Sequence, residues 1–323
     1  MTLESYLELV TERIRAIPLD GQPRQLYEPV HYCLENGGKR IRPVMTLMAC
    51  ELFGGKVEEA LDPAVGLELF HNFTLLHDDV MDEAPVRRNM PTVHERWDVN
   101  TAILSGDVLF ALASQYVARV PDRVLRPVIE LYHRVVIEVC EGQQYDMDYE
   151  VRNEVLMEEY LEMIRLKTAV LPASCMKTGA IIAGAGQEEQ DAIYRFGELV
   201  GLAFQLRDDW LDLFGDRQQF GKQTGGDIIA NKKTWLYIQA LRLADHRQRQ
   251  VLTDAYSGKI GDEKEKVEQV KSVFEQLGIS GLAQEAMQQY YQDALDVMEA
   301  IRQPAHKKEA LLDLAAYLLK REK

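Results

Sequence analysis

Apolar residues recur along this chain at spacings of three and four, and the alternation of a half-buried strand is almost absent. Leu3, Leu7, Val10 and Ile14 fall on one helical face. So do Leu156, Tyr160, Met163 and Leu166, and again Leu311, Leu314, Ala315 and Leu318. Breakers stand at 18–23, 37–38, 54–55, Pro121, 184–186, 215–226 and 258–261. No Pro/Ser/Gly linker divides the helical stretches between them. The pattern predicts an all-α protein, one single domain over residues 1–323. The segments around 65–80 and 197–214 are apolar around most of the helix, which predicts burial inside a large bundle.

Composition adds two exclusions. The chain has 37 Lys and Arg against 52 Asp and Glu, a net charge of −15. A protein this acidic has no global attraction for nucleic acid or anionic lipid, so an anionic ligand must be held by local cations or bound metal. Cys33, Cys50, Cys140 and Cys175 are widely spaced and form no C-x-x-C, which predicts buried free thiols rather than a zinc or redox site. Residues 1–25 show no apolar core of a secretory signal, and no apolar run approaches the ~18 residues of a membrane span. A cytosolic protein without stable membrane insertion is expected.

The chemistry is signalled by carboxylates inside the apolar segments. In F-T-L-L-H-D-D-V-M-D, Asp78 and Asp82 stack one helical turn apart, while Asp79 is rotated by about 100°. F-Q-L-R-D-D-W-L-D repeats the spacing with Asp208, Asp209 and Asp212. A lone D-D-x-x-D is usually a solvated acidic face; two copies on buried helices call for cations between them. Mg²⁺ suits, because it links one or two carboxylates to phosphate oxygens and keeps several waters.

Phosphate also requires Lys and Arg, and these come in short bursts. G-G-K-R-I-R-P supplies Lys39, Arg40 and Arg42 on a glycine loop entering a helix, a favourable anion site. Arg87 and Arg88 follow Asp82 closely, and F-G-K-Q-T-G-G-D-I-I-A-N-K-K-T supplies Lys222, Asp227, Lys232 and Lys233. Neither a P-loop nor a dinucleotide fingerprint is present. His71 lies two turns before Asp78, about 20° from its face, although a single histidine on an apolar helix is more often a core residue. Gln205 shares the face of Asp208. In R-L-K-T-A-V-L-P, Pro172 has no N–H for the carbonyl of Thr168, so a kink is expected there. That carbonyl, the Thr168 hydroxyl and Gln205 could stabilise a developing carbocation, against the plainer reading of a water-satisfied kink.

In this order and spacing the motifs resemble the trans-isoprenyl diphosphate synthases of the polyprenyl synthetase family, over nearly the whole chain. The resemblance implies an isoprenoid-synthase-type helical bundle around a central cavity, a homodimer, and three Mg²⁺ ions held by Asp78 and Asp82 on one side and Asp208 with Asp212 on the other. It places Arg87, Lys167, Lys222 and Lys232 on the allylic diphosphate, and Thr168 and Gln205 beside the reacting carbon. Lys167, Thr168, Gln205 and Lys232 then form the catalytic group. Lys39, Arg42, His71 and Arg88 match the pocket for isopentenyl diphosphate.

Product length should depend on what blocks the tunnel below Asp78. Phe73 lies about 7.5 Å further along the helix and is a candidate floor, with the small Thr74 beside it; at about 140° from Asp78, Phe73 also fits plain core packing. Set against the pattern of the family it resembles, a single aromatic here and no two-residue insertion in the motif imply geranylgeranyl diphosphate, with farnesyl diphosphate as the alternative. Two other classes compete: a terpene cyclase, against which the G-G-K-R-I-R-P and Arg88 cations argue, and a catalytically silent partner subunit, which would be expected to lose some of these residues.

Overall fold

A computed structural model describes residues 1–215 and 225–320. Helices follow one another almost without interruption: α1 (Leu3–Arg15), α2 (Arg24–Glu35), α3 (Ile41–Leu52), α4 (Val57–Met81), α5 (Val93–Arg96), α6 (Val99–Val117), α7 (Asp122–Val151), α8 (Met157–Ile164), α9 (Val170–Ala183) and α10 (Gln187–Phe214). After the undescribed stretch come α11 (Gly226–Ile229), α12 (Trp235–Leu243), α13 (His246–Tyr256), α14 (Glu263–Gln276), α15 (Ile279–Ala300) and α16 (Ala305–Lys320). Several starts are capped as the residue types dictate. The side chains of Thr2, Asp98, Asp245 and Asp262 each accept a backbone N–H from the first turn.

The chain forms two compact units. The first comprises Met1–His133, Ser174–Ile193 and Gln303–Leu311, and the second Arg134–Ala173, Tyr194–Arg302 and Leu312–Lys323. In the first, α4 packs on α1, α3 and α6 and buries Val65, Leu67, Leu69, Phe70 and Leu76. The second has a core of Tyr160, Met163, Leu202, Leu206, Tyr237, Leu252 and Phe274. Among the described residues, no helix is long and apolar enough to cross a membrane.

Four local expectations change. Leu156 is not on a buried face: it precedes α8 as its cap and is exposed, whereas Tyr160, Met163 and Leu166 are buried as expected. The Pro172 kink is replaced by a π-helical turn over Arg165–Ala169, in which the Val170 N–H reaches back five residues to the Arg165 carbonyl. Pro172 lies just beyond that turn, in α9, which continues the helix without a break. None of the four cysteines is in a disulfide, but only Cys50 and Cys175 are buried; Cys140 is exposed. Finally, a two-stranded hairpin, β1 (Val86–Arg87) and β2 (Met90–Pro91), follows α4.

Candidate active site

In the first unit the site is built on the end of α4. Asp82 caps the helix, and its N–H bonds to the Asp78 carbonyl at 2.8 Å. The two carboxylates therefore stack at a helix C-terminus, where the helix dipole is already negative, and a cation is the natural partner. Asp79 faces another way. It is buried and accepts a hydrogen bond from Arg87 Nε at 2.6 Å. Burial raises the Asp79 pKa and Arg87 opposes that rise.

The hairpin holds the arginine pair in place. Arg88 and Asn89 form its turn with φ of 53° and 61°, the left-handed pair of a two-residue hairpin. This conformation is unfavourable for a non-glycine residue and persists where neighbours hold it. The Arg88 guanidinium rests on the glycine loop: a Cβ on Gly38 would lie 2.9 Å from Nη1. Exposed Lys39 is on that same loop, and Arg40, left-handed at φ 49°, begins α3.

Arg42, one residue into α3, donates from Nη1 to His71 Nε2 at 3.0 Å. A guanidinium only donates, so Nε2 is the acceptor and the imidazole proton sits on Nδ1. Desolvation and the positive charges of Arg42, Arg88 and Arg87 hold the His71 pKa well below the usual range. One turn earlier, Glu68 is buried, and burial raises its pKa against the pull of Arg42, Arg88 and Arg40. Phe73 packs its ring among Phe70, Phe110 and His77, with centroids 5.7, 5.2 and 4.6 Å away. Thr74 turns its hydroxyl back to the His71 carbonyl at 2.8 Å.

In the second unit α10 carries Gln205, Asp208, Asp209 and Asp212. The Thr168 hydroxyl donates to Gln205 Oε1 at 2.9 Å, and Gln205 Nε2 donates to Asp209 Oδ1 at 2.9 Å. Tyr160 closes the chain by donating to the other Asp209 oxygen. The π-turn that presents Thr168 lies directly on α7: a Cβ on Gly142 would be 2.3 Å from the Lys167 nitrogen, so only glycine fits. Lys167 donates to Asp146, and Lys232 lies 3.9 Å from the same carboxylate oxygen. Asp212 Oδ2 accepts the Asp227 N–H at 3.1 Å. Burial pushes the Asp209 carboxyl up to about 7 against its bonds from Tyr160 and Gln205. Burial and then repulsion from Asp209 and Asp212 push Asp227 up to about 8.

Among the described residues, no three His, Cys, Asp or Glu side chains converge as a complete metal cage. Mg²⁺ does not need one, since a carboxylate pair, phosphate oxygens and water complete its shell. Beyond burial, repulsion from Asp208 adds to the rise at Asp209, and repulsion from Asp209, Asp212 and Asp146 to the rise at Asp227, the kind of unfavourable charge that a divalent cation relieves. The residues therefore fit the metal.

Each unit thus assembles part of the expected set: Asp78, Asp82, Arg42, His71, Arg87 and Arg88 in one; Lys167, Thr168, Gln205, Asp208, Asp212 and Lys232 in the other. Lys222 lies outside the described residues. The sequence reading overlooked Glu68, Asp79 as the arginine partner, Asp146, Tyr160 and Gln143. Gln143 is buried beside Gly142, and among the described residues neither of its amide atoms has a hydrogen-bond partner. Glu68 was findable, three residues before His71 on a neighbouring helical position. Asp146, 21 positions from Lys167, carries no local signal.

Residues 23–277 match the family model described as polyprenyl synthetase. A short chain isoprenyl diphosphate synthase of Methanothermobacter thermautotrophicus is 37% identical over 99% of this chain and 98% of its own length. A geranylgeranyl diphosphate synthase of Methanosarcina mazei is 36% identical over 93% and 91%. A crystal structure of a geranylgeranyl pyrophosphate synthase superposes with a TM-score of 0.92 at 42% identity, covering 100% of both chains. With the paired aspartate turns and their cations in place, these matches make the chain a member of the polyprenyl synthetase family, and so a prenyltransferase.

Proposed function

We propose that this prenyltransferase condenses isopentenyl diphosphate with an allylic diphosphate to give an all-trans product, geranylgeranyl diphosphate. The observation that carries the reading is that each D-D-x-x-D helix has cations at hand in its own unit: Arg87 is paired with Asp79 of the first motif, and Lys167 and Lys232 meet on Asp146, with Lys232 also acting on Asp227, whose N–H bonds Asp212 of the second. The relatives' names support the product, and so does the single aromatic, Phe73, with Thr74 next to it.

In this reading Asp78, Asp82, Asp208 and Asp212 would hold three Mg²⁺ ions. Bound magnesium supplies Lewis-acid neutralisation of the leaving diphosphate. Arg87, Lys167, Lys222 and Lys232 add positive charge to that leaving group, which favours heterolysis of the allylic C–O bond. The oxygens of Thr168 and Gln205 present the negative ends of their dipoles to the allylic cation. Lys39, Arg42 and Arg88 bind the second diphosphate, and His71 offers its Nδ1–H. The double bond of isopentenyl diphosphate then attacks the cation, and the proton lost from the product goes to the released diphosphate. A homodimer, implied by the family, and a cytosolic location, which four cysteines outside any disulfide fit, belong to the same proposal.

The test is product analysis by mass spectrometry, with isopentenyl diphosphate, Mg²⁺ and dimethylallyl, geranyl or farnesyl diphosphate in turn. Geranylgeranyl diphosphate should dominate with every starter. Hydrocarbon from an allylic diphosphate alone would instead mark a cyclase, and no elongation at all would mark a silent subunit.

A further inference from the structure

Lysine 266, on α14, has no place in the reaction just described, yet it is 6% exposed. An ammonium is rarely buried unless its donors are satisfied. Lys266 Nζ donates to the Ile229 carbonyl at 3.0 Å and to Asn231 Oδ1 at 2.7 Å, and lies 5.5 Å from the centroid of the Tyr256 ring. Both hydrogen-bond acceptors belong to the turn that leaves α11. Asn231 is left-handed in that turn, at φ 59°, a conformation that needs support from its surroundings in a non-glycine residue. The neighbouring Val267 closes on the other end of this short segment, where the chain enters α11: a Cβ on Gly225, at φ 84°, would lie 2.7 Å from Val267 Cγ1. The segment is therefore seated on α14 at both ends.

That segment joins two parts of the site. At its start the Gly225 N–H bonds to the Asp212 carbonyl at 2.9 Å and the Asp227 N–H to Asp212 Oδ2 at 3.1 Å. At its end the Lys232 N–H bonds to the Asp227 carbonyl at 2.9 Å, and Lys233 reaches the Glu150 carbonyl at 2.6 Å. We infer that Lys266 is a positioning residue for the allylic diphosphate: by holding the left-handed turn at Asn231 it sets where Lys232 reaches. The inference rests on the function proposed above. It predicts an effect on one substrate only, because the residues assigned to isopentenyl diphosphate are carried by other elements, the glycine loop, α3, α4 and the hairpin.

Two variants test it. Lys266→Met keeps the apolar stem and removes the donor; Asn231→Gly keeps the left-handed backbone and removes the side-chain acceptor. Initial rates are measured against each substrate, with circular dichroism and thermal midpoint as controls. Each variant should raise the KM for the allylic diphosphate about tenfold, while the KM for isopentenyl diphosphate stays within about twofold. The double variant should be no worse than the more severe single, because both remove one shared interaction. Should Lys266→Met not fold, Asn231→Gly decides alone. An unmoved allylic KM, or both KM values rising together with a falling thermal midpoint, overturns the inference. Wild-type protein that makes no product overturns the function reading and this one with it; active wild type with unmoved variants overturns this one alone.

Discussion

Replacing Asp79 with asparagine asks whether the middle aspartate of the first motif serves the metal or an arginine. Asp79 is buried and holds Arg87 Nε at 2.6 Å, while the stacked pair one step away is Asp78 and Asp82. A hydrogen bond to a charged group contributes about 1.5–3 kcal/mol and a neutral one about 1 kcal/mol, so the amide forfeits about 0.5–2 kcal/mol of the hold on Arg87. Burial penalises the Asp79 carboxylate, and its relief in the variant favours the lower part of that range. If Arg87 grips the allylic diphosphate, its KM should rise by about twofold to thirtyfold. The magnesium concentration giving half-maximal rate should not move. Initial rates at varied allylic diphosphate, then at varied magnesium with both substrates saturating, separate the two effects. Asp78→Asn is the control and should raise the magnesium requirement. An Asp79→Asn enzyme that needs as much extra magnesium as Asp78→Asn would refute the assignment, and so would an unmoved allylic KM.

Phe73→Ala should shift the product distribution to longer chains by mass spectrometry, and an unchanged distribution would leave the ring as core packing with Phe70 and Phe110. Because Phe73 is only half-buried, its stability loss in urea should fall below the ~3–5 kcal/mol of a fully buried phenylalanine. His71 stays neutral when folded, so the unfolded chain takes up its proton first as pH falls. The stability this histidine contributes is present above pH ~6.5 and is lost below it, by up to about 1.4 kcal/mol per pH unit. His71→Gln should remove that dependence in urea titrations at pH values on either side. Thr168→Val leaves Gln205 without its hydroxyl donor and should lower kcat about tenfold, with the KM for isopentenyl diphosphate unchanged in steady-state assays.

The helical class was legible because apolar spacing is a local property, and the motifs were legible because each packs its chemistry into about two turns. Leu156 misled for the same reason: periodicity assigns a face but does not mark where a helix begins, and this leucine is its exposed cap. The π-turn was half legible. Pro172 flagged an irregularity, but what replaces the kink depends on α7, where Gly142 admits the backbone of Lys167. Asp146 was invisible, since a carboxylate that organises Lys167 and Lys232 is identified only by tertiary contact.

The carboxylates on α4 fall on two faces that differ in burial and in partners. Glu68 and Asp79 are eleven residues apart, so they lie within about 20° of each other around the helix. Both are buried and both face arginine: Glu68 the charges of Arg40, Arg42 and Arg88, Asp79 the guanidinium of Arg87. Without them a ligand-free cluster of guanidinium groups would repel itself and splay. Asp78 stands about 100° from Asp79, with Asp82 one turn beyond, on a face that is half-buried to exposed. The helix thus carries one acidic stripe buried against arginines and a second that is half-buried to exposed. In a chain whose net charge of −15 repels a polyanion, binding one requires local cations held in place before it arrives. The aspartates of one motif consequently divide by angle: Asp79 turns inward to support an arginine, and Asp78 and Asp82, on the more exposed face, are the pair proposed for the metal.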